Sequence, residues 1–205
     1  ALLFGQAGFL EDTIEEEYHQ QLKAEYNYLR HKYNLHPKTN STFSYFRMRP
    51  SNFPTIRIAQ LVSLFHEHQN LFSKLMEIKL IKDYYEFFNV KVNLFWKTHF
   101  TFDKTSKPSP KNLTNSFVDL LLINTIIPLK FLYQKNKGEV DENEFLEVLK
   151  NIKPEKNNII SKFDEIGVKA TNSYETQTLL ELKNNYCAKK QCLQCAIGMQ
   201  LLNKC

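Results

Sequence analysis

The sequence predicts an all-α fold, a globular bundle of about eight to ten helices that ends in a Cys-rich loop and a short helix. The chain has 5 Gly and 7 Pro in 205 residues, which is too little turn chemistry for a sandwich or barrel of many short strands. Apolar residues recur along the whole chain, mostly at helical spacing. The hydrophobic share of 42% and the charged share of 24% exclude intrinsic disorder. We expect a single helical domain over residues 1–205, and a division into two subdomains near residues 104–112 stays open.

The clearest helix of the first half is predicted over residues 11–33. Acidic residues lie in its first turns and basic residues in its last turn, which is the order that the helix macrodipole favours. Pro50 and Pro54 then prevent a continuous helix, and the next helix is predicted over residues 55–66. The apolar positions that define the first helix are three or four residues apart: Ile14, Tyr18, Leu22, Tyr26, Leu29 and Tyr33.

The middle of the chain is less regular. Residues 70–88 predict two short helices. Residues 90–102 fit both a strand and a helix, and we favour a helix. Residues 104–112 combine Pro, Lys and Ser and therefore predict an exposed loop or linker.

The second half carries clear helix starts and stops. Residues 116–134 predict a central helix that is apolar on nearly all faces. Asp141 is expected to cap a helix over residues 142–152, and Gly167 to close a helix over residues 154–166. Further helices are predicted over residues 173–186, beginning at Asn172 or Ser173, and over residues 192–202.

The net charge of +5 is concentrated in the middle of the chain, where residues 35–111 hold 12 Lys and Arg against 5 Asp and Glu. Such a surplus attracts a polyanion, and a solvated surface without a partner is the alternative. The most apolar stretch, residues 117–133, contains Asp119 and Lys130 and predicts a core helix rather than a membrane span. We expect a cytoplasmic protein with no membrane partner. Because the sequence begins without Met, we also expect a fragment of a longer protein.

All four cysteines lie in the last 19 residues, with the spacing C-x4-C-x2-C-x9-C. Thiolates that converge within about 2.3 Å of one ion bind zinc, and the same set binds an iron–sulfur cluster. Free thiols packed as small apolar side chains and disulfides are the alternatives. Because C-x2-C suits a zinc knuckle, we expect zinc or no metal rather than a cluster. The candidate metal ligands are Cys187, Cys192, Cys195 and Cys205.

A second signal is the Arg-rich corner, residues 47–57, with three guanidiniums, an Asn, two hydroxyls and a helix start. This set suits a phosphate or a carboxylate, and interleaved aromatic residues suit the stacking of bases. In the alternative, the arginines bind carbonyl groups or buried acids and fix a corner of the fold. The candidate anion- or nucleic-acid-binding residues are Arg47, Arg49, Asn52 and Arg57, with Tyr45, Phe46 and Phe53 as stacking surfaces.

The sequence assigns no catalytic residue. His66 and His68 are two residues apart, and such side chains point about 200° apart on a helix, so they do not share a metal ion. His99 is a candidate general base for which the sequence identifies no partner. Gly-rich phosphate loops, G-x-S-x-G and H-E-x-x-H do not occur in the sequence. We do not expect this chain alone to be an enzyme.

Six motifs carry a family resemblance. They lie at residues 5–10, 25–33, 47–60 (R-M-R-P-S-N-F-P-T-I-R-I-A-Q), 95–99 (F-W-K-T-H), 123–128 and 186–198 (Y-C-A-K-K-Q-C-L-Q-C-A-I-G). With them, the chain resembles the C-terminal half of an uncharacterised bacterial domain-of-unknown-function family of cytoplasmic proteins. The resemblance implies cysteines at the positions of Cys187, Cys192 and Cys195. It also implies a further N-terminal region, faintly similar to restriction-endonuclease-like folds, which would carry any catalytic carboxylates and pack with this chain as a partner. The tail is similar, more distantly, to the iron–sulfur loop of glycosylases of the endonuclease III type, from which its spacings differ.

Two functional hypotheses follow. In the first, the chain is a helical nucleic-acid-associated module whose Arg-rich corner contacts phosphates and whose Cys-rich loop fastens the last helix. In the second, it is a helical scaffold or protein-interaction domain in which the arginines are structural and the thiols are free.

Overall fold

We describe the protein from a computed structural model, which describes residues 1–37, 43 and 45–202. Over these residues the regular structure is helical, apart from an isolated antiparallel bridge between His99 and Thr105. The prediction of an all-α fold is therefore confirmed.

The chain divides into two compact units. The first unit comprises Ala1–Leu75 and Tyr85–Asn115, and the second comprises Met76–Tyr84 and Ser116–Cys205. The regular elements of the first half are α1 (Leu2–Gln6), α2 (Glu17–Tyr33), a 3₁₀ turn (Pro50–Asn52), α3 (Pro54–Glu67), α4 (Leu71–Glu77), α5 (Ile81–Phe87) and a second 3₁₀ turn (Leu94–Lys97).

Helix α2 begins at Glu17, later than the predicted residue 11. The Nζ of Lys23 donates hydrogen bonds to the backbone oxygens of Glu11 and Asp12, at 3.0 and 2.8 Å. These bonds hold the acidic segment beside the helix instead of within it. The helix ends as the charge pattern predicts, with Asn34 in the left-handed region at φ 50°.

The helix that we predicted over residues 90–102 is wrong, because the structure forms a single 3₁₀ turn over Leu94–Lys97. The reason lies in the loop that follows. Ser106 N donates to Thr98 O at 2.6 Å, and Ser109 N donates to Lys97 O at 2.9 Å. These carbonyl groups would accept bonds within a continuing helix, so the loop competes with helix formation.

The core of the first unit is largely aromatic. The rings of Phe4 and Trp96 stack at 5.5 Å between centroids, and Phe102 meets each of them edge-on at 5.2 Å. A Cβ at Gly5 would lie 2.2 Å from the Tyr26 ring, so α1 and α2 approach each other there only because residue 5 is glycine. The buried cluster consists of Phe4, Leu10, Tyr26, Ile56, Ala59, Trp96 and Phe102.

The second half of the chain begins with a long helical stretch and continues through shorter helices. Its elements are α6 (Asn115–Leu121), a π-helical segment (Leu122–Ile126), α7 (Ile127–Lys137), α8 (Glu142–Lys150), α9 (Asn158–Glu165), α10 (Ser173–Glu181), a second π-helical segment (Leu182–Cys187), a 3₁₀ turn (Cys192–Gln194) and α11 (Ala196–Leu202).

Local capping sets most of these helix ends. Asp141 caps α8 and Asn172 caps α10, in each case through a side-chain oxygen that accepts a backbone N–H of the first turn. Gly167 follows α9 with φ 85°, as a closing glycine does. Helix α9 begins after Asn157 rather than at the predicted residue 154, because the Asn157 side chain accepts from Ile159 N and Ile160 N, both at 3.0 Å.

The helical stretch Asn115–Lys137 is 23 residues long and apolar enough, by length and composition, to cross a membrane; core helices of soluble proteins pass the same test. In the most apolar 18-residue segment of this stretch, 28% of the residues are buried. The stretch thus buries one face, although the sequence is apolar on nearly all of its faces. The buried residues are Val118, Leu122, Ile123, Ile126 and Lys130. Its assignment as a core helix stays a prediction.

Candidate functional site

The Arg-rich corner leads through a 3₁₀ turn into α3. Pro50 begins the turn, and Pro54 occupies the first position of α3, where a fixed φ is favourable and no N–H is needed. Arg47 has φ 60°, in the left-handed region that residues other than Gly, Asn and Asp seldom adopt. The corner is therefore a defined turn of the backbone.

Two of the four candidate residues in this corner bind each other. Arg57 Nη2 donates to Asn52 Oδ1 at 2.6 Å, and Arg57 Nη1 donates to Gln60 Oε1 at 2.8 Å. Burial lowers the pKa of Arg57 from its ordinary value. Asn52 and Arg57 thus contribute to the fold of the corner, as the structural hypothesis expects of such arginines.

The same network continues into the predicted loop over residues 104–112. Gln60 Nε2 donates to Lys111 O at 2.7 Å, and Lys111 Nζ donates to Ser109 Oγ at 2.5 Å and to Lys97 O at 3.3 Å. The Lys111 ammonium also lies 3.9 Å from the centroid of the Phe100 ring. Burial lowers the pKa of Lys111. These contacts fix the loop against the start of α3.

The other two arginines are exposed. Among residues 1–37, 43 and 45–202, neither Arg47 nor Arg49 forms an ion pair. The Arg47 guanidinium lies 5.1 Å from the centroid of the Phe46 ring, and Phe46 is itself 77% exposed. An exposed aromatic ring beside the Arg47 guanidinium, with a second exposed arginine three residues after Phe46, therefore remains available to a ligand.

A cavity of about 740 Å³ lies in the first unit, next to this corner. Its volume is within the range of about 300–1,000 Å³ that is usual for ligand pockets. The aromatic residues Tyr45, Phe53 and Phe100 line it together with two acidic residues, Asp12 and Asp103. Burial, and to a lesser extent the charge of Asp103, raises the pKa of Tyr45, so its hydroxyl stays protonated at neutral pH. The cavity therefore combines aromatic walls with hydrogen-bonding groups.

The structure does not bring the described cysteines together into a metal site. Cys187 and Cys192 are exposed, Cys195 is buried, and all three are free thiols. No group of three or more His, Cys, Asp or Glu side chains that could hold a metal ion occurs in the part of the chain that the structure describes. Cys205 lies outside the described residues. The zinc and iron–sulfur hypotheses stay predictions.

In the Cys-rich tail, residues 187–202, two backbone segments pack closely against each other. A Cβ at Gly198 would lie 2.2 Å from the carbonyl oxygen of Cys192, so α11 lies directly against the preceding 3₁₀ turn. A larger residue at position 198 would push these two elements apart.

His68 and His99 have structural partners. His68 stacks on Phe87 at 3.9 Å and its Nε2 lies 2.8 Å from Phe87 O. His99 stacks on Phe95 at 3.9 Å and its Nδ1 lies 2.9 Å from Phe95 O. Packing and hydrogen bonding thus account for the burial of His99 without a catalytic role.

Sequence reasoning missed a buried ion pair in the second unit. Lys130 is 1% exposed, and its Nζ pairs with Glu144 and donates to the backbone oxygen of Ile78. Tyr84 donates to the same backbone oxygen at 2.9 Å, and burial together with Glu144 raises the pKa of Tyr84 above its usual range. A lysine amid the mostly apolar residues 117–133 was the available sequence signal.

Comparison with known proteins supplies a family. A sequence model of the family described as "Protein of unknown function (DUF2851)" matches residues 1–158. No curated protein and no solved structure matches the chain. The matched residues contain the Arg-rich corner and the residues that line the neighbouring cavity, and they end before the Cys-rich tail.

Proposed function

The chain belongs to the DUF2851 family of proteins of unknown function, and we propose that its first unit binds single-stranded nucleic acid. The observation that supports this proposal most directly is the exposed Phe46–Arg47 pair, with Arg49 two residues further on. In the proposal, Arg47 and Arg49 contact phosphates, and Phe46 offers a ring on which one base stacks.

Electrostatics favours a polyanion at this corner. A guanidinium that lacks a carboxylate partner keeps its five donors for a ligand, and its planar fork matches two phosphate oxygens. Arg47 and Arg49 meet this condition among the described residues, whereas Arg57 is already occupied by Asn52 and Gln60. The surplus of basic residues over 35–111 would also attract nucleic acid from a distance.

The aromatic groups favour a single strand over a duplex. In a duplex the bases are stacked on each other and their faces are not accessible, whereas an unpaired base stacks on exposed aromatic side chains. Phe46 offers such a face on the surface. The adjacent cavity offers Tyr45 and Phe53, with Asp103 as an acceptor for an amino group at a base edge.

Fluorescence anisotropy with labelled oligonucleotides of about 20 nucleotides tests the proposal. We expect single-stranded DNA or RNA to bind at micromolar protein and low salt, and duplex DNA to bind more weakly. The double substitution Arg47→Gln with Arg49→Gln should weaken binding. It should also reduce the slope of log affinity against log salt by about 1.4, because each phosphate contact on a single strand accounts for about 0.7.

Matched variants separate a specific site from a general charge effect. Lys153→Gln with Lys156→Gln removes the same two charges from exposed positions in the second unit and should leave binding unchanged. Phe46→Ala keeps the charge and should cost about 1–3 kcal/mol of binding. Absence of binding, or equal weakening in both double variants, contradicts the proposal. If Arg49→Ala lowers the melting temperature instead, the scaffold hypothesis is favoured.

A further inference from the structure

A second cavity, of about 280 Å³, lies in the second unit against helix α9. Its volume is just below the usual range for ligand pockets, about 300–1,000 Å³, so it suits a small molecule rather than a nucleotide or a cofactor. It lies on residues that the nucleic-acid proposal does not use.

One wall of this cavity is the apolar face of α9 and the residue that follows it. Ile159, Phe163 and Ile166 are four and three residues apart, which places them on one side of the helix. Helix α9 buries none of its residues completely, and Ile166 is 73% exposed. The fold thus leaves an apolar surface in contact with water, which a ligand would cover at a gain in free energy.

The charged groups at this cavity are all cationic. Lys162 and Lys183 line it, and no Asp or Glu is among the described residues that do. Lys183 belongs to the π-helical segment Leu182–Cys187, where Ala188 N donates to Lys183 O at 2.8 Å across five residues. Single π-helical turns often occur at functional sites. An apolar wall with two ammonium groups is complementary to a molecule that has an alkyl chain and one negative charge.

We propose that this cavity binds a free medium-chain carboxylate, with the alkyl chain against Ile159, Phe163 and Ile166 and the carboxylate between Lys162 and Lys183. The small volume limits the chain length. Such a small ligand in a partly open site should bind with a Kd of about 1 mM.

Methyl NMR of the full chain with labelled isoleucine tests the site directly, with sodium octanoate as the probe. We expect the Ile159 and Ile166 methyl signals to shift with increasing octanoate and to saturate. The signals of Ile152, buried in the same unit, and of Ile56, buried in the first unit, should stay in place. Lys183→Gln should raise the Kd by about two- to fivefold, as loss of an exposed ion pair does.

Controls distinguish the proposal from simple apolar contact. Octyltrimethylammonium has the same alkyl chain with a positive charge and should not shift Ile159 or Ile166. Lys153→Gln, a charge loss away from the cavity, should leave the octanoate Kd unchanged. Anionic phospholipid vesicles, a second source of a negative amphiphile, should not shift these methyl groups either. Equal effects of octanoate and octyltrimethylammonium, an effect of vesicles alone, or no saturable shift would overturn the proposal.

Discussion

The two units of this chain bury a lysine in opposite ways. In the first unit, Lys111 is 4% exposed, and its ammonium bonds to backbone oxygens and to the Ser109 hydroxyl and lies over the Phe100 ring. In the second unit, Lys130 is paired with the carboxylate of Glu144, whose side chain is 5% exposed. The first arrangement spreads a charge over neutral dipoles, and the second neutralises it with an opposite charge.

The two arrangements differ in the free energy that burial of the ammonium costs. An ammonium surrounded by dipoles keeps part of its desolvation penalty, which appears as the lowered pKa of Lys111. An ion pair offsets more of that penalty, but each partner then depends on the other, since removal of one leaves an uncompensated buried charge. The second unit should therefore be the more sensitive of the two to a single substitution at its buried charge.

The largest effect is expected for Glu144→Ala. It leaves the Lys130 ammonium buried beside the Ile78 carbonyl without a counter-ion, and should lower the free energy of unfolding by about 3–5 kcal/mol. Urea unfolding followed by circular dichroism measures the loss. Trp96 is the single tryptophan and belongs to the first unit, so its fluorescence reports that unit separately.

Two variants make this test specific. Glu147→Ala removes an exposed partner of Lys150 from the same helix, and should cost less than about 1 kcal/mol. Lys130→Met combined with Glu144→Leu replaces the pair by apolar side chains and should recover most of the loss. A loss at Glu144 no larger than that at Glu147 would show that the buried pair contributes little.

The cysteines, which all belong to the second unit, supply the next largest expected effect. If zinc binds the thiolates, its binding is coupled to folding of residues 187–205, and the thiols converge only in the metal-bound state. Elemental analysis should then find about one zinc per chain and no iron. Cys192→Ser should release the metal, lower the melting temperature and expose the tail to proteolysis. A metal-free protein in which Cys192→Ser is neutral would instead indicate free thiols.

Helix ends were mostly predictable where the signal is local, although the local cap of α9 by Asn157 was missed. Asp141 and Asn172 cap helices through bonds to residues three positions away, and Gly167 needs only its own backbone freedom. The failure over residues 90–102 has a non-local cause. The carbonyls of Lys97 and Thr98 accept bonds from a loop whose position no helical pattern encodes.

The candidate site was predictable in composition but not in its division of roles. The sequence marks three arginines within residues 47–57 and cannot tell them apart. Arg57 is occupied because Gln60 is held by the backbone of Lys111, a residue 51 positions further on. Long-range partners of this kind also explain why the Lys130–Glu144 pair escaped notice, although a lysine amid apolar residues was visible.

In the first unit, the buried Lys111 should make the stability of the protein depend on pH in the alkaline range. The folded-state pKa of Lys111 lies below the unfolded value of 10.5, so between the two values the unfolded chain binds more protons. The free energy of unfolding contributed by this group therefore rises with pH across that window. Lys111→Met should remove this rise, and should cost about 1 kcal/mol near neutral pH through its lost hydrogen bonds.

Urea unfolding at neutral pH and near pH 10 measures this effect in the wild type and the variant. Lys104→Met removes an exposed lysine from the same loop and should leave the pH dependence as it is in the wild type. Parallel pH profiles for the wild type and Lys111→Met would mean that Lys111 titrates normally in the folded protein.

The smallest expected effect concerns the Glu175 carboxylate, an exposed charge of the second unit. Water solvates this charge, whereas the charges of Lys130 and Glu144 are buried against each other. The Glu175 carboxylate accepts from Thr171 N at 2.6 Å and from Thr171 Oγ1 at 3.0 Å at the start of α10, and these bonds lower the pKa of Glu175 below 4.5. A lowered carboxyl pKa contributes stability that is complete above the unfolded value and is lost as pH falls through the folded value. Glu175→Gln should therefore weaken the acid dependence of thermal unfolding below about pH 4.5 and lower the melting temperature slightly at neutral pH.

Scanning calorimetry in acid, below about pH 4.5, and at neutral pH measures the change. Glu165→Gln, in the last turn of α9, serves as the control and should leave the acid dependence of the melting temperature unchanged. If the melting temperature of Glu175→Gln falls with acid in the same way as that of the wild type, the hydrogen bonds from Thr171 to Glu175 contribute no net stability in water. In that case only the buried charges distinguish the two units.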